Sequence, residues 1–294
     1  MLLTHTLLVP SLPTLLVDQH RGHRTPMIEA LDHASERLLG EAPAAIVILS
    51  ARWSSTGPFL VGAAKRHGTI TDYTGFGVEV RYDCPGQPAL ARALVDAAVK
   101  ARVRAGSSPR GIDSGASVPL HFLAPRGGVP VVPLSIAAQP PEACRAWGAT
   151  LRVALAAWPD PVAFVVGGVL SRNEHAWLLR REVPEAQTLD ERVLEALGRG
   201  EWTGLAGDDA ARFEKAQPEA GLRHLEVIRG FLGTEATGTV RCYEPGPGVG
   251  AALIEFPLTG AVTDAPPAKA RAVPAARPVD APRARAAEKR RPRP

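Results

Sequence analysis

The residues best placed to do chemistry in this chain lie just after short apolar runs. They are Ser11, Arg52 beside Trp53, Asp113 with Ser114, and Arg172; the carboxylate Glu219, at the start of a helical segment, is a further candidate. In a parallel α/β sheet ligands bind where strands end, so side chains in such turns can share a pocket. Arg52 and Arg172 are permanent cations with no lone pair to give a metal. They can pair with a carboxylate of the chain, or they can capture an anionic small molecule. Glu219 can answer them, or it can sit at a helix start, where the dipole favours negative charge. Asp113 suits a turn as well as it suits chemistry. His20 and His23 flank Arg21-Gly22, and with His5 or His33 they offer a possible metal site. His175 follows Arg172 by three residues, close enough to enter the same pocket. His121 and His224 fall in helical segments, where a core or surface histidine is the ordinary case.

Those turns need a sheet to carry them. Apolar, β-branched runs at 7–10, 45–50, 129–135, 162–167, 237–243 and 250–256 read as strands. Several are apolar at consecutive positions, as strands buried on both faces are. Helical spacing predicts helices over 87–104, 140–157, 187–198 and 218–232, with Pro218 at the first position of the last. Strand–helix alternation predicts one α/β domain with a central, mostly parallel sheet flanked by helices. The last two strands read as a hairpin around 245–248. Residues 56–86 read as a loop with short strands over one end of the sheet.

Charge separates the chain into two parts. Residues 265–294 hold nine basic and two acidic residues, a net +7, whereas residues 1–264 carry −3. The folded part is therefore mildly acidic, and a basic groove for nucleic acid is not expected. From 259 to 294 the composition is Ala, Pro, Arg and Lys with almost no large apolar residue, which predicts a disordered tail. The Lys289–Arg293 cluster adds nonspecific phosphate affinity at most. No run approaches the ~18–20 apolar residues of a membrane span. The N-terminus lacks a basic region before its apolar run and a small-residue cleavage site, so no signal peptide is read. Three widely spaced cysteines argue against a disulfide framework and for a reducing cytoplasm.

Longer motifs carry a resemblance. They are Asp72-Tyr73-Thr74-Gly75-Phe76-Gly77, then Arg81-Tyr82-Asp83-Cys84-Pro85-Gly86-Gln87-Pro88, and the central Arg110-Gly111-Ile112-Asp113-Ser114-Gly115-Ala116-Ser117-Val118-Pro119-Leu120. With 129–135, Pro218-Glu219-Ala220-Gly221-Leu222-Arg223 and the final hairpin, the chain resembles the class III extradiol ring-cleavage dioxygenases over residues 1–258. That resemblance implies a ferrous iron held by two histidines and a glutamate, with positions open to a catechol and O₂. It also implies further histidines that handle protons. Here the histidine positions hold Ser11, Arg52, Ser114 and Arg172, while Trp53 is kept and Glu219 stands where a third ligand falls.

Four replaced histidines predict loss of the ordinary iron site. A buried carboxylate left without its metal is costly, so Arg52 is expected to pair with Glu219, with Arg172 nearby. The resulting expectation is a non-catalytic homologue or subunit with no cofactor. It would assemble as a homo- or hetero-oligomer with a related dioxygenase subunit. Two alternatives stand beside it. One is an active Fe(II) extradiol dioxygenase that cleaves a catechol-type ring with O₂ through displaced ligands such as His20 and His23. The other is a stand-alone binding protein for an aromatic or anionic small molecule.

Overall fold

A computed structural model of the chain describes residues 2–203, 205, 210–233 and 236–258. The 259–294 tail lies outside the described residues. The elements run β1 (Leu2–Val9), α1 (Pro13–His20), α2 (Pro26–Gly40), β2 (Ala45–Ser55), β3 (Phe59–Gly62), β4 (Arg66–His67), β5 (Cys84–Pro85) and α3 (Pro88–Lys100). They continue β6 (Ala105–Ser108), α4 (Ser114–Leu123), β7 (Val131–Ala137), α5 (Pro141–Ala156), β8 (Val162–Gly167), α6 (Glu174–Leu178) and α7 (Pro184–Arg199). The last are α8 (Ala210–Ala216), α9 (Arg223–Leu232), β9 (Thr239–Gly246) and β10 (Val249–Pro257).

Eight strands form one sheet in the order β6-β3-β7-β2-β8-β1-β10-β9. The central four, β7, β2, β8 and β1, are mutually parallel. β3 meets β7 antiparallel on one side, and the β9–β10 hairpin joins β1 antiparallel on the other. The mixed α/β architecture read from the sequence is therefore present. Residues 59–62 correct the reading of 56–86 as a cover: they enter the main sheet between β6 and β7. Only β4 and β5 form the separate two-stranded ribbon.

The period-2 rule divides the core. Val47 and Leu49 of β2, with Phe164 and Val166 of β8, pack on the side of α3, α5, α7 and α9. Ile46 and Ile48, with Ala163 and Val165, pack on the side of α1, α2 and α4. Each fully buried aliphatic side chain contributes about 1.5–3 kcal/mol. α5 and α9 approach closely where a glycine of each meets the backbone of the other. A Cβ built on Gly230 would lie 2.0 Å from the Arg145 carbonyl, and one on Gly148 would lie 2.0 Å from that of Val227. Arg145 then reaches Glu226 at 2.7 Å across the crossing. This docking fixes α9 and, with it, the segment that precedes it. Among the described residues no helix is long and apolar enough to cross a membrane.

Two local corrections bear on function. The strand read as 45–50 continues to Ser55, and its pairing with β7 shifts register between Ser50 and Ser54. Three residues of β2, 51–53, fall outside the pairing at this shift, and Arg52 is one of them. The 218–232 segment is not one helix begun by Pro218. Ala220, Gly221 and Leu222 take left-handed backbone, with φ of 49°, 59° and 57°, and the α-helix starts at Arg223. For a non-glycine residue that conformation costs about 1–2 kcal/mol. Strain concentrated at one turn is a pointer to function rather than to packing.

Candidate functional site

Three segments meet at the carboxyl ends of the central strands. After β8, residues 168–172 are fastened on both sides: Glu219 N–H donates to the Leu170 carbonyl at 2.8 Å, and Leu170 N–H donates to that of Gly250 at 2.9 Å. Ser171 gives its N–H and its hydroxyl to buried Asp190 of α7. Arg172 N–H donates to the Gln217 carbonyl at 2.9 Å, which locks its backbone to the strained turn.

That turn presents Glu219, whose side chain is 3% exposed. One carboxylate oxygen, Oε2, accepts the Val169 N–H at 2.6 Å. The other, Oε1, faces two guanidiniums, with Arg172 Nη1 at 3.3 Å and Arg52 Nη1 at 3.7 Å. The Arg52–Glu219 pair expected from the sequence is thus present, and Arg172 makes the shorter contact. Burial pushes the Glu219 carboxyl up to about 7, against the pull of Arg172 and the Val169 N–H. The left-handed turn, not a helix dipole, sets its position, which corrects the helix-start reading.

A third carboxylate was not legible as a site residue. Glu174 Oε1 accepts from Arg172 Nε at 3.1 Å and Nη2 at 2.7 Å, and it lies 3.8 Å from Arg52 Nη1. Only its position, two residues after Arg172, could have signalled it. Leu12, Phe76, Trp177 and Val249 wall a small pocket of about 100 Å³ around these groups. Pro13, Thr71 and Ser114 complete the lining.

Asp113 and Ser114 have separate roles. Asp113 caps α4, accepting the Gly115 N–H at 3.1 Å and the Ser50 hydroxyl at 2.7 Å. Burial raises its pKa, and the Ser50 hydroxyl bond pulls it back. Ser50 Oγ in turn accepts the backbone N–H of Arg52 and of Trp53, both at 3.1 Å, so this cap also shapes the unpaired stretch of β2. Arg110 rests 5.4 Å above the Trp53 ring.

The histidine candidates do not converge on the pocket. His20 is the exposed last residue of α1, and exposed His23 faces Asp18 at 3.3 Å. His175 is exposed on α6. Among the described residues no three His, Cys, Asp or Glu side chains are arranged to hold a metal ion. Ser11 is buried and its hydroxyl has no partner. His224, read from the sequence only as a helix histidine, is fully buried with both ring nitrogens unpartnered. It lies near Glu219, since a Cβ on Gly168 would be 3.1 Å from Glu219 Oε2 and 3.4 Å from His224 Cδ2. Burial pushes His224 down to about 4, so the ring is neutral at pH 7.

Comparison with known proteins places this geometry among relatives. Residues 1–254 match the family model of the catalytic LigB subunit of aromatic ring-opening dioxygenase. Dioxygenase tasH of Hapsidospora irregularis is 30% identical over 195 residues, covering 64% of this chain and 57% of that protein. A 4,5-DOPA dioxygenase extradiol from Escherichia coli K12 is 33% identical over 162 residues, covering 52% of this chain and 58% of that protein. The counterpart from Beta vulgaris is 30% identical over 129 residues, covering 39% of this chain and 48% of that one. The chain thus spans about half of the length of these relatives. The crystal structure of an uncharacterized protein, JW3007 from Escherichia coli K12, superposes with a TM-score of 0.62 at 19% identity. That match covers 86% of this chain and 99% of the other, and it shows a shared fold.

Proposed function

From the chain's membership of the LigB family of aromatic ring-opening dioxygenases, we propose that it is a non-catalytic member, a homologue or subunit that keeps the fold without the iron chemistry. The observation that carries this reading is the pairing of Glu219 with both Arg52 and Arg172. The resemblance puts ferrous iron between Ser11, Arg52 and Glu219. Those groups do not fit it. A guanidinium offers no lone pair, a serine hydroxyl is a poor ligand, and the one carboxylate is engaged by two cations. The guanidiniums supply positive charge beside a buried carboxylate, which removes the need for a metal there. No reaction step is therefore assigned to iron.

In this reading the protein supports a related, metal-holding subunit through oligomer contacts, or it binds a small molecule in its own pocket. The second role has a specific observation behind it, since two guanidiniums border a pocket walled by Phe76 and Trp177. The test is direct. The purified protein is offered ferrous iron anaerobically, its metal content is measured, and O₂ uptake is followed with catechols. Iron well below one equivalent and no uptake are the expected results. Stoichiometric iron with ring cleavage would overturn the proposal in favour of an active dioxygenase with displaced ligands.

A further inference from the structure

The guanidiniums of Arg52 and Arg172 are satisfied on two sides by different means. Inward, both meet Glu219, which is buried and bonded to the backbone at Val169. Outward, the Nε–Nη2 edge of Arg172 grips one oxygen of Glu174, and Arg52 Nη1 approaches the same oxygen at 3.8 Å. That edge is the one with which arginine recognises carboxylates. Glu174 differs from Glu219 in its surroundings. Its side chain is 65% exposed, so an ion pair holding it is weak and exchanges readily with water.

The walls beside it are unsuited to a glutamate. The Phe76 and Trp177 rings lie 5.9 Å apart, and Leu12 and Val249 add further apolar lining. Flat apolar surfaces next to a guanidinium fork suit a ligand with an acidic head and a planar body. Charge limits the head. Two arginines face Glu219 and Glu174, so a guest that replaces Glu174 restores balance with a single negative charge. Volume limits the body. About 100 Å³ is less than the ~150 Å³ cavity that accepts benzene, so a single small ring is the upper limit and needs the space that Glu174 vacates.

We propose that Glu174 is a built-in competitor at an anion site whose ligand is a small monocarboxylate with a flat apolar body. The ligand takes the Arg172 fork from Glu174, which swings into solvent, and lays its ring against Phe76 and Trp177. This inference rests on guanidiniums, not iron, occupying the pocket.

Isothermal titration of the full chain with benzoate tests it, with inorganic phosphate as comparator. Glu174→Gln removes the competitor from an exposed position and should tighten benzoate by about threefold to fivefold, the scale of an exposed ion pair. Arg172→Gln and Trp177→Ala should each weaken benzoate by about tenfold or more. Trp177→Ala decides the matter if Arg172→Gln fails to fold. Equal benzoate affinity in the wild type and Glu174→Gln overturns the proposal, as does no binding in either. Phosphate bound more tightly than benzoate by Glu174→Gln overturns the carboxylate assignment. Metal analysis of the same preparations keeps the two readings apart. Stoichiometric iron sinks the non-catalytic reading and this one together, whereas iron-free protein indifferent to benzoate sinks this one alone.

Discussion

The buried carboxylate of Asp190 accepts both the backbone N–H and the hydroxyl of Ser171, at 2.9 and 2.7 Å. The bond joins helix α7 to the turn one residue before Arg172. The Tyr243 hydroxyl adds a third donor at 3.1 Å. The position of the guanidinium is therefore set from behind, by a helix that contributes nothing to the pocket lining.

Asp190→Ala should strand the Ser171 N–H in the core. An orphaned buried donor costs about 1–3 kcal/mol, and loss of the other two bonds adds to it. The expected destabilisation is about 2–4 kcal/mol, read from the denaturant midpoint. A change under about 0.5 kcal/mol would mean that the turn is held by its other contacts.

Stability should depend on pH through the same group. Burial raises the Asp190 carboxyl to about 6 from its ordinary 3.8, against its hydrogen bonds. Between those values the folded chain keeps a proton that the unfolded chain has released. This contribution to stability is full below about pH 4 and is lost as pH rises through about 6. Asp190→Asn cannot titrate, so the wild type should lose stability relative to this variant as pH goes from 4 to 7. Parallel pH profiles for the two proteins would refute it.

Arg172 and Glu219 should couple in a double-mutant cycle with Arg172→Gln and Glu219→Gln. At pH 8 the carboxylate is ionised, and an interaction of about 1–2 kcal/mol is expected for this partly buried pair. At pH 6 Glu219 is largely protonated, because burial has pushed it up to about 7, and the coupling should shrink. Coupling that is the same at both pH values would show that charge is not what joins them.

The central strands were plain in the sequence because burial on both faces leaves an unbroken apolar run. The run 162–167 coincides with β8, and 45–50 is the core-facing part of β2. β6 was not readable, since Ala105–Ser108 is short, small and partly polar and gains its place only through pairing with β3. Within the site, Arg52 and Arg172 were placed by the strands they follow, and the resemblance to the extradiol dioxygenases brought Glu219 to the same pocket. Propensity says nothing of the left-handed run at Ala220–Leu222, where tertiary bonds from 168–172 override the helical pattern. Glu174 escaped because an exposed glutamate beside an arginine has no distinctive spacing. His224 escaped because a histidine on the apolar face of a helix reads as ordinary core.

The antiparallel course of β10 settles where attachments to this protein belong. Val249, at its start, lines the pocket, whereas Leu258, just past its end, bonds back to Thr4 near the start of β1. Nine residues of strand separate the two poles, roughly 30 Å. A dye, an affinity handle or a sensor-chip linkage joined at Leu258 therefore sits at the pole away from the pocket mouth. Immobilisation at that pole leaves the mouth open to small molecules arriving from solution.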